Sequence, residues 1–427
     1  MTIWIFIVML CLFGIGLPVA WSMAMAAAAY MVLVPHISLV AAFQRMVVGL
    51  DNFPLLAVPF FILAGNLMNS GGITDRLVAF ARVLVGTITG GLAHTVVVVN
   101  MIMAGMSGSG TADAAGTGSV LIPAMKKSGY GAPFSAAIVG AAATIGPIIP
   151  PSIPFVVYGS MADVSVGRLF LAGATPGVVM GILLMIFVSF IARRRNYPRE
   201  GRLSWREMGE ATIRALPPLG MPAIIMGGIL AGIMTPTEAA IAGAAYAFVL
   251  GVFVYREINA PALGRIFLDS AVTSGAIAII VAAAAPIGWV LTVEQAPAKI
   301  IDLITAANLS TWQLFLVINI ILLILGCLMD GLAILIMTIP IIMPVIHHAG
   351  INPVHFGIVL SINIMIGTIT PPVGMIMYVV SGIGKISIIE FAREIWPFVI
   401  ALVIALFLVT HIPGIAMWLP NLVMPAR

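Results

Sequence analysis

Two helix-breaking segments, GPIIPPS at 146–152 and GTITPPV at 367–373, occupy matching positions in an internal duplication. One gapless offset of 221 residues (367 minus 146) carries Gly110, Pro123, Gly129, Pro150, Pro151, Phe170 and Pro176 onto Gly331, Pro344, Gly350, Pro371, Pro372, Phe391 and Pro397. Four prolines coincide where random placement would give roughly 0.6, so the chain holds two copies of one unit. Consecutive prolines delete backbone donors and clash with the preceding turn, which unwinds any helix passing through them. The fold must therefore accommodate the same break twice.

Composition supplies the solvent. The chain is 62% hydrophobic and 8% charged, with mean hydropathy +1.18, which leaves too little charge to surface a soluble domain. An all-α polytopic membrane protein is expected, with about ten to twelve crossings plus partial ones. The apolar run 3–17 has no basic region before it and leads into another at 21–34, so it is read as a first span rather than a cleaved signal. Net charge is +4, but seven of the nineteen Lys and Arg lie between Arg193 and Arg214. That concentration argues for a cytoplasmic loop with a short surface helix at Trp205, in contact with membrane lipid, and against nucleic-acid binding. Cys11 and Cys327 lie in apolar runs and form no disulfide or metal pattern.

The two copies are expected to face opposite ways. Lys126-Lys127 in the first match His347-His348 in the second, a swap of permanent charge for largely neutral imidazole. A cytoplasmic Lys126 lets the chain return to the cytoplasm at Arg193, and the second copy then reaches it near Lys385 and Arg393. Inverted repeats exchange conformations around a central site, which is the basis of alternating access.

GMSGSGTADAAGTG at 105–118 is too rich in glycine for a continuous span, and its apolar flanks read as half-spans. A re-entrant helical hairpin is expected, tipped at 107–113, with a counterpart tipped near Asp330-Gly331. Non-helical backbone at membrane depth persists only where protein or a watery cavity satisfies it. Carbonyls of Gly146, Ile149 and Pro151 with hydroxyls of Ser107 and Ser109 would make a hard-oxygen cage for sodium without any carboxylate. Gly331, Gly367 and Thr370 would do the same in the second copy. Asp330 is the candidate for a substrate amino or hydroxyl group. Asp113 and Glu238 read as structural, Glu238 as the third residue of a capping box begun by Thr235. His36, His94, His355 and His411 read as packed or interfacial residues.

These segments, with FPLLAVPFFILAGNLM at 53–68 and MTPTEAA at 234–240, resemble the large membrane subunit of tripartite ATP-independent periplasmic (TRAP) transporters over nearly the whole chain. The resemblance implies a sodium-coupled, elevator-type importer of carboxylate-bearing solutes (C4-dicarboxylate, sugar acid or sialic acid) in the bacterial inner membrane. It implies two partners, a separate small four-helix membrane subunit and a periplasmic binding protein, with no cofactor beyond the coupling ion. It also carries the first sodium site onto Ser107, Ser109, Gly146, Ile149 and Pro151, the second onto Gly331, Gly367 and Thr370, and substrate contacts onto Ser109, Ser152 and Asp330. The expected division is scaffold at 1–83 and 215–304, transport repeats at 84–192 and 305–427, and the basic segment 193–214 between. Two alternatives are a carboxylate transporter of the same superfamily that needs no binding protein, and an intramembrane serine protease suggested by GMSG at 105–108. A protease would need a Ser–His pair and has no use for paired breaks. GIGKIS at 382–387 lacks the glycine and hydroxyl of a phosphate loop.

Overall fold

The computed structural model describes residues 2–34, 38–201 and 204–425, so His36 lies outside the described residues. Helices α1 (Thr2–Gly14), α2 (Val19–Leu33) and α3 (Leu39–Leu50) open the chain, and a 3-10 turn at Phe53–Leu56 leads into α4 (Ala57–Ser70) and α5 (Ile73–Val85). Then come α6 (Gly91–Ser107), α7 (Gly110–Lys127), α8 (Ala132–Ala143), α9 (Ile153–Met161) and α10 (Val166–Arg194). Between the copies lie α11 (Trp205–Leu230), α12 (Pro236–Phe248), which ends in a π turn at Val249–Val254, α13 (Ala260–Val293) and α14 (Ala296–Ala306). The second copy supplies α15 (Thr311–Leu328), α16 (Gly331–His348), α17 (Pro353–Gly367), α18 (Met375–Gly384) and α19 (Ile388–His411), and α20 (Gly414–Val423) closes the chain.

Among the described residues eight helices are long and apolar enough to cross a membrane, fewer than the ten to twelve expected. Local breaks cause the shortfall: α1, α2 and α6 run 13, 15 and 17 residues, below the length of a full crossing. The surface helix expected at Trp205 is likewise longer, because α11 continues unbroken to Leu230 behind a capping box of Ser204 and Glu207. Thr235 and Glu238 form the second expected capping box, at the start of α12.

The duplication survives in three dimensions. The offset that aligns the sequences carries α7 onto α16 residue for residue at both ends, and brings the starts of α8, α9 and α10 within one residue of those of α17, α18 and α19. Both breaks, 144–152 and 368–374, fall where the double prolines sit, and Pro150-Pro151 and Pro371-Pro372 are both cis. Packing between the copies is reciprocal: α18 lies against α7 and α8, as α9 lies against α16 and α17, while α19 meets α8 and α10 meets α17. Reciprocal contacts of this kind are what an approximate two-fold axis produces. Around this pair, α2, α3 and α4 pack on α13, α4 on α12, and α5 on α6 and α11.

The hairpin arms are longer than half-spans. α6 and α7 run 17 and 18 residues and only Gly108 and Ser109 separate them. Gly108 takes φ +60°, a turn that glycine adopts freely. The glycine-rich tract, expected to turn over 107–113, is helical from Gly110 onward, with Ser109 as N-cap, its hydroxyl accepting from Ala112 N at 3.4 Å. Inside the hairpin Asn100 Nδ2 donates to Thr117 Oγ1 at 3.4 Å and Thr117 in turn donates to Asp113 O at 2.7 Å, tying the arms together.

Candidate functional site

Both hairpin tips and both helix breaks reach one cavity of about 750 Å³. The first copy contributes residues 107–112, Pro147, Ile153 and Pro154; the second contributes residues 330–333, Met365, Thr368, Met375 and Ile376. The far wall comes from α2, α4 and α13, through residues such as Trp21, Ile62, Asn66, Thr273 and Ile280. The cavity thus lies between the paired copies and the helices that surround them, in line with the tendency of ligand sites to form where separate packing units meet.

Two clusters of polar atoms lie at and behind this floor. In the first, Ser107 Oγ donates to Asp113 Oδ1 at 2.5 Å, and Ser109 N donates to Ser107 Oγ at 3.3 Å. Asp113 is fully buried and its Oδ2 has no hydrogen-bond partner among the described residues. Gly146 presses against that oxygen: a Cβ built on Gly146 would meet Oδ2 at 2.2 Å. Across the break, backbone donors from Thr144 to Ile149 go to the carbonyls of Ala141, Ala142, Ala143 and Ile145. The carbonyls of Gly146, Ile149 and Pro151 receive no hydrogen bond among the described residues. Gly108 approaches this stretch so closely that its Cβ would lie 2.7 Å from Pro151 O. The tip and the break therefore form one cluster of hydroxyl, carbonyl and carboxylate oxygens. The sequence reading drew this group of oxygens without a carboxylate; the structure adds the buried Asp113 beside Ser107 and Gly146. The available signal was the spacing Ser107…Asp113, which lets a first-turn aspartate reach back across the tip.

The second cluster is built differently. Asp330 takes the place of Ser109 as N-cap, its Oδ1 accepting from Leu332 N at 3.1 Å and Ala333 N at 3.3 Å, while the residue lines the cavity. Gly331 opens α16 against Ile364, and Gly367 closes α17 against Gly326, whose Cβ would lie 3.0 Å from Gly367 Cα. Gly367 O already accepts from Thr370 N at 3.0 Å, and Thr370 Oγ1 donates to Ile366 O at 2.7 Å. Gly331, Asp330 and Thr368 face the cavity, whereas Gly367 and Thr370 stand behind it.

Ser109 and Asp330 lie on the cavity, but Ser152 does not. Its hydroxyl is buried, caps α9 by accepting from Phe155 N at 3.3 Å, and donates to Pro147 O. Of the histidines of the sequence reading that lie in the described residues, His94 is buried, His355 Nε2 meets Val409 O at 2.8 Å and His411 stacks on Trp312. Ser107 has Asp113, not histidine, as its partner. Among the described residues no cluster of His, Cys, Asp and Glu is arranged to hold a metal by those side chains alone.

Comparison with known proteins matches this architecture. The chain is 40% identical over 407 residues to the sialic acid TRAP transporter large permease protein SiaM of Vibrio cholerae, covering 95% of both chains. It is 40% identical to the C4-dicarboxylate TRAP transporter large permease protein DctM of Pseudomonas aeruginosa, covering 87% of each. To the 2,3-diketo-L-gulonate TRAP transporter large permease protein YiaN of Escherichia coli it is 37% identical, covering 95% of this chain and 96% of that one. All three are transport permeases rather than enzymes. The crystal structure of the Alcanivorax borkumensis YdaH transporter superposes with TM-score 0.66 over 92% of this chain and 96% of that one, at 14% identity, a likeness of fold. The family described as the tripartite ATP-independent periplasmic transporter, DctM component, matches residues 6–415, and the chain belongs to that family of large membrane permeases.

Proposed function

We propose that this chain is the large transport subunit of a sodium-coupled importer of carboxylate-bearing solutes in the bacterial inner membrane, one that works with a small membrane subunit and a periplasmic binding protein. The observation that carries the reading is the meeting of both tips and both breaks at one cavity. The two copies form inverted repeats with re-entrant hairpins, and they move as a unit past α2, α4, α11 and α13 in an elevator cycle. Reciprocal packing between the copies supports the inversion, because an axis in the membrane plane exchanges inward-open and outward-open arrangements.

Sodium is the coupling cargo. Ser107, Ser109, Asp113 and the carbonyls of Gly146, Ile149 and Pro151 offer the hard oxygens that such a cation selects. The lone Asp113 Oδ2 supports this, because a carboxylate oxygen buried without a partner is costly until a cation or a proton meets it. The second ion lies near Gly331, Gly367 and Thr370, where the turn would have to release oxygens now used internally. Substrate is held between Ser109 and Asp330, and Ser152 supports the first break from behind.

Uptake by proteoliposomes containing the complex, under an imposed sodium gradient, tests the assignment. Ser107→Ala and Thr370→Ala should each weaken the sodium dependence by about tenfold, the scale of one charge-assisted contact, while Cys327→Ala leaves it unchanged. Uptake that proceeds equally well without sodium would remove the ion sites. Uptake without any binding protein would instead favour the binding-protein-independent alternative.

A further inference from the structure

The exposed face of α10 carries a feature to which the proposed function gives no role. Ile186, Ser189, Phe190, Arg193 and Arg194 line a shallow groove on that helix, at the i, i+3, i+4, i+7 and i+8 spacing of a single face. Ile182, at 46% exposure, extends the face toward the middle of the helix, and Ile186 and Phe190 are exposed at 54% and 67%. Exposed apolar side chains on a spanning helix are what hydrocarbon wets. The two arginines end the stripe at the last turn of the helix, where cations are electrostatically favoured.

Their neighbour shows what the pair lacks. Arg195 is matched by Glu394 at 2.9 Å, whereas no carboxylate lies within ion-pair distance of Arg193 or Arg194 among the described residues. Ser189 gives the charged end a polar floor, its hydroxyl held by Met185 O at 2.9 Å and by His94 Nε2 at 3.2 Å. From Ile182 to Arg193 the helix rises about 16 Å, which is close to half of a hydrocarbon layer of about 30 Å. One acyl chain along the stripe and one negatively charged headgroup at its end match this face in length and in charge.

We propose that the groove binds an anionic phospholipid, its phosphate on Arg193 and Arg194 and one acyl chain along Phe190, Ile186 and Ile182. The test uses the full chain, purified with its partner subunits and exchanged into micelles containing phosphatidylglycerol or phosphatidylcholine, with bound lipid counted by native mass spectrometry. Phosphatidylglycerol should be retained roughly ten- to thirtyfold over phosphatidylcholine, and the Arg193→Gln/Arg194→Gln double variant should lose that preference with an unchanged lipid-free melting temperature. Arg206→Gln/Arg214→Gln, which removes as much charge from the exposed start of α11, should keep it. No preference in the wild type, or an equal loss in both double variants, would overturn the site. In a second measurement a fluorophore on Phe190→Cys, in a background lacking Cys11 and Cys327, should be quenched more by spin-labelled phosphatidylglycerol than by the phosphatidylcholine equivalent. Absence of quenching by either lipid would mean that protein covers this face, and it too would overturn the proposal.

Discussion

Asp113 brings the one carboxylate to the proposed first ion site. Burying a carboxylate at membrane depth costs about 2.5–3.5 kcal/mol on insertion scales, and here one oxygen is hydrogen-bonded by Ser107 while the other faces Gly146 with no partner. Replacing it by asparagine removes the charge and keeps the shape. Asp113→Asn is therefore expected to fold normally yet to raise the sodium concentration for half-maximal uptake about tenfold or more, as read in proteoliposomes over a sodium series. An unchanged sodium curve would take Asp113 out of the ion site. Gly146→Ala tests the same contact sterically. Its methyl group would collide with Oδ2, so we expect overpacking of about 1–3 kcal/mol, visible as a lower melting temperature together with lost uptake.

At the scale of elements, caps and close approaches divide the work. The capping box of Thr235 and Glu238 holds the start of α12 with bonds of 2.7 and 2.8 Å, and neither residue lines the cavity. Glu238→Ala should lower the melting temperature slightly by removing one half of the capping box and leave uptake intact, which a melting curve beside a transport assay will read. Gly326 and Gly367 instead let α15 and α17 touch backbone to backbone near the second break, with Val373 N donating to Cys327 O at 3.1 Å. Gly326→Leu would wedge the two apart. It should abolish uptake where Glu238→Ala does not, and retained uptake would show that this approach is dispensable.

On the scale of the whole molecule, the contact between the paired repeats and their surroundings is where the proposed elevator cycle would have to slide. Small residues make that contact: Gly65 of α4 would meet Ser107 Cα at 3.2 Å if it carried a Cβ, and a Cβ on Gly116 of α7 would lie 2.9 Å from Asn69 Oδ1. A disulfide between Asn69→Cys and Gly116→Cys, in a chain without Cys11 and Cys327, should stop uptake, and reductant should restore it. Full uptake in the cross-linked complex would rule out relative motion at this contact.

The sequence alone determined the membrane solvent, the duplication, both helix breaks and the oxygen-rich stretch at Gly146, Ile149 and Pro151, because each rests on local covalent facts: apolar side chains, a repeated register and prolines without N–H groups. Glu238 as a cap was legible for the same reason, being set by a spacing of three residues. Helix lengths were not, since a capped Gly-Ala tract can be helix or loop until its neighbours pack. Only the tertiary structure placed the Asp113 carboxylate against Ser107 and Gly146 and turned Ser152 away from the cavity. It also brought two tips more than 200 residues apart in the chain to one space, because convergence of distant segments depends on how the copies pack against each other, which no local pattern encodes.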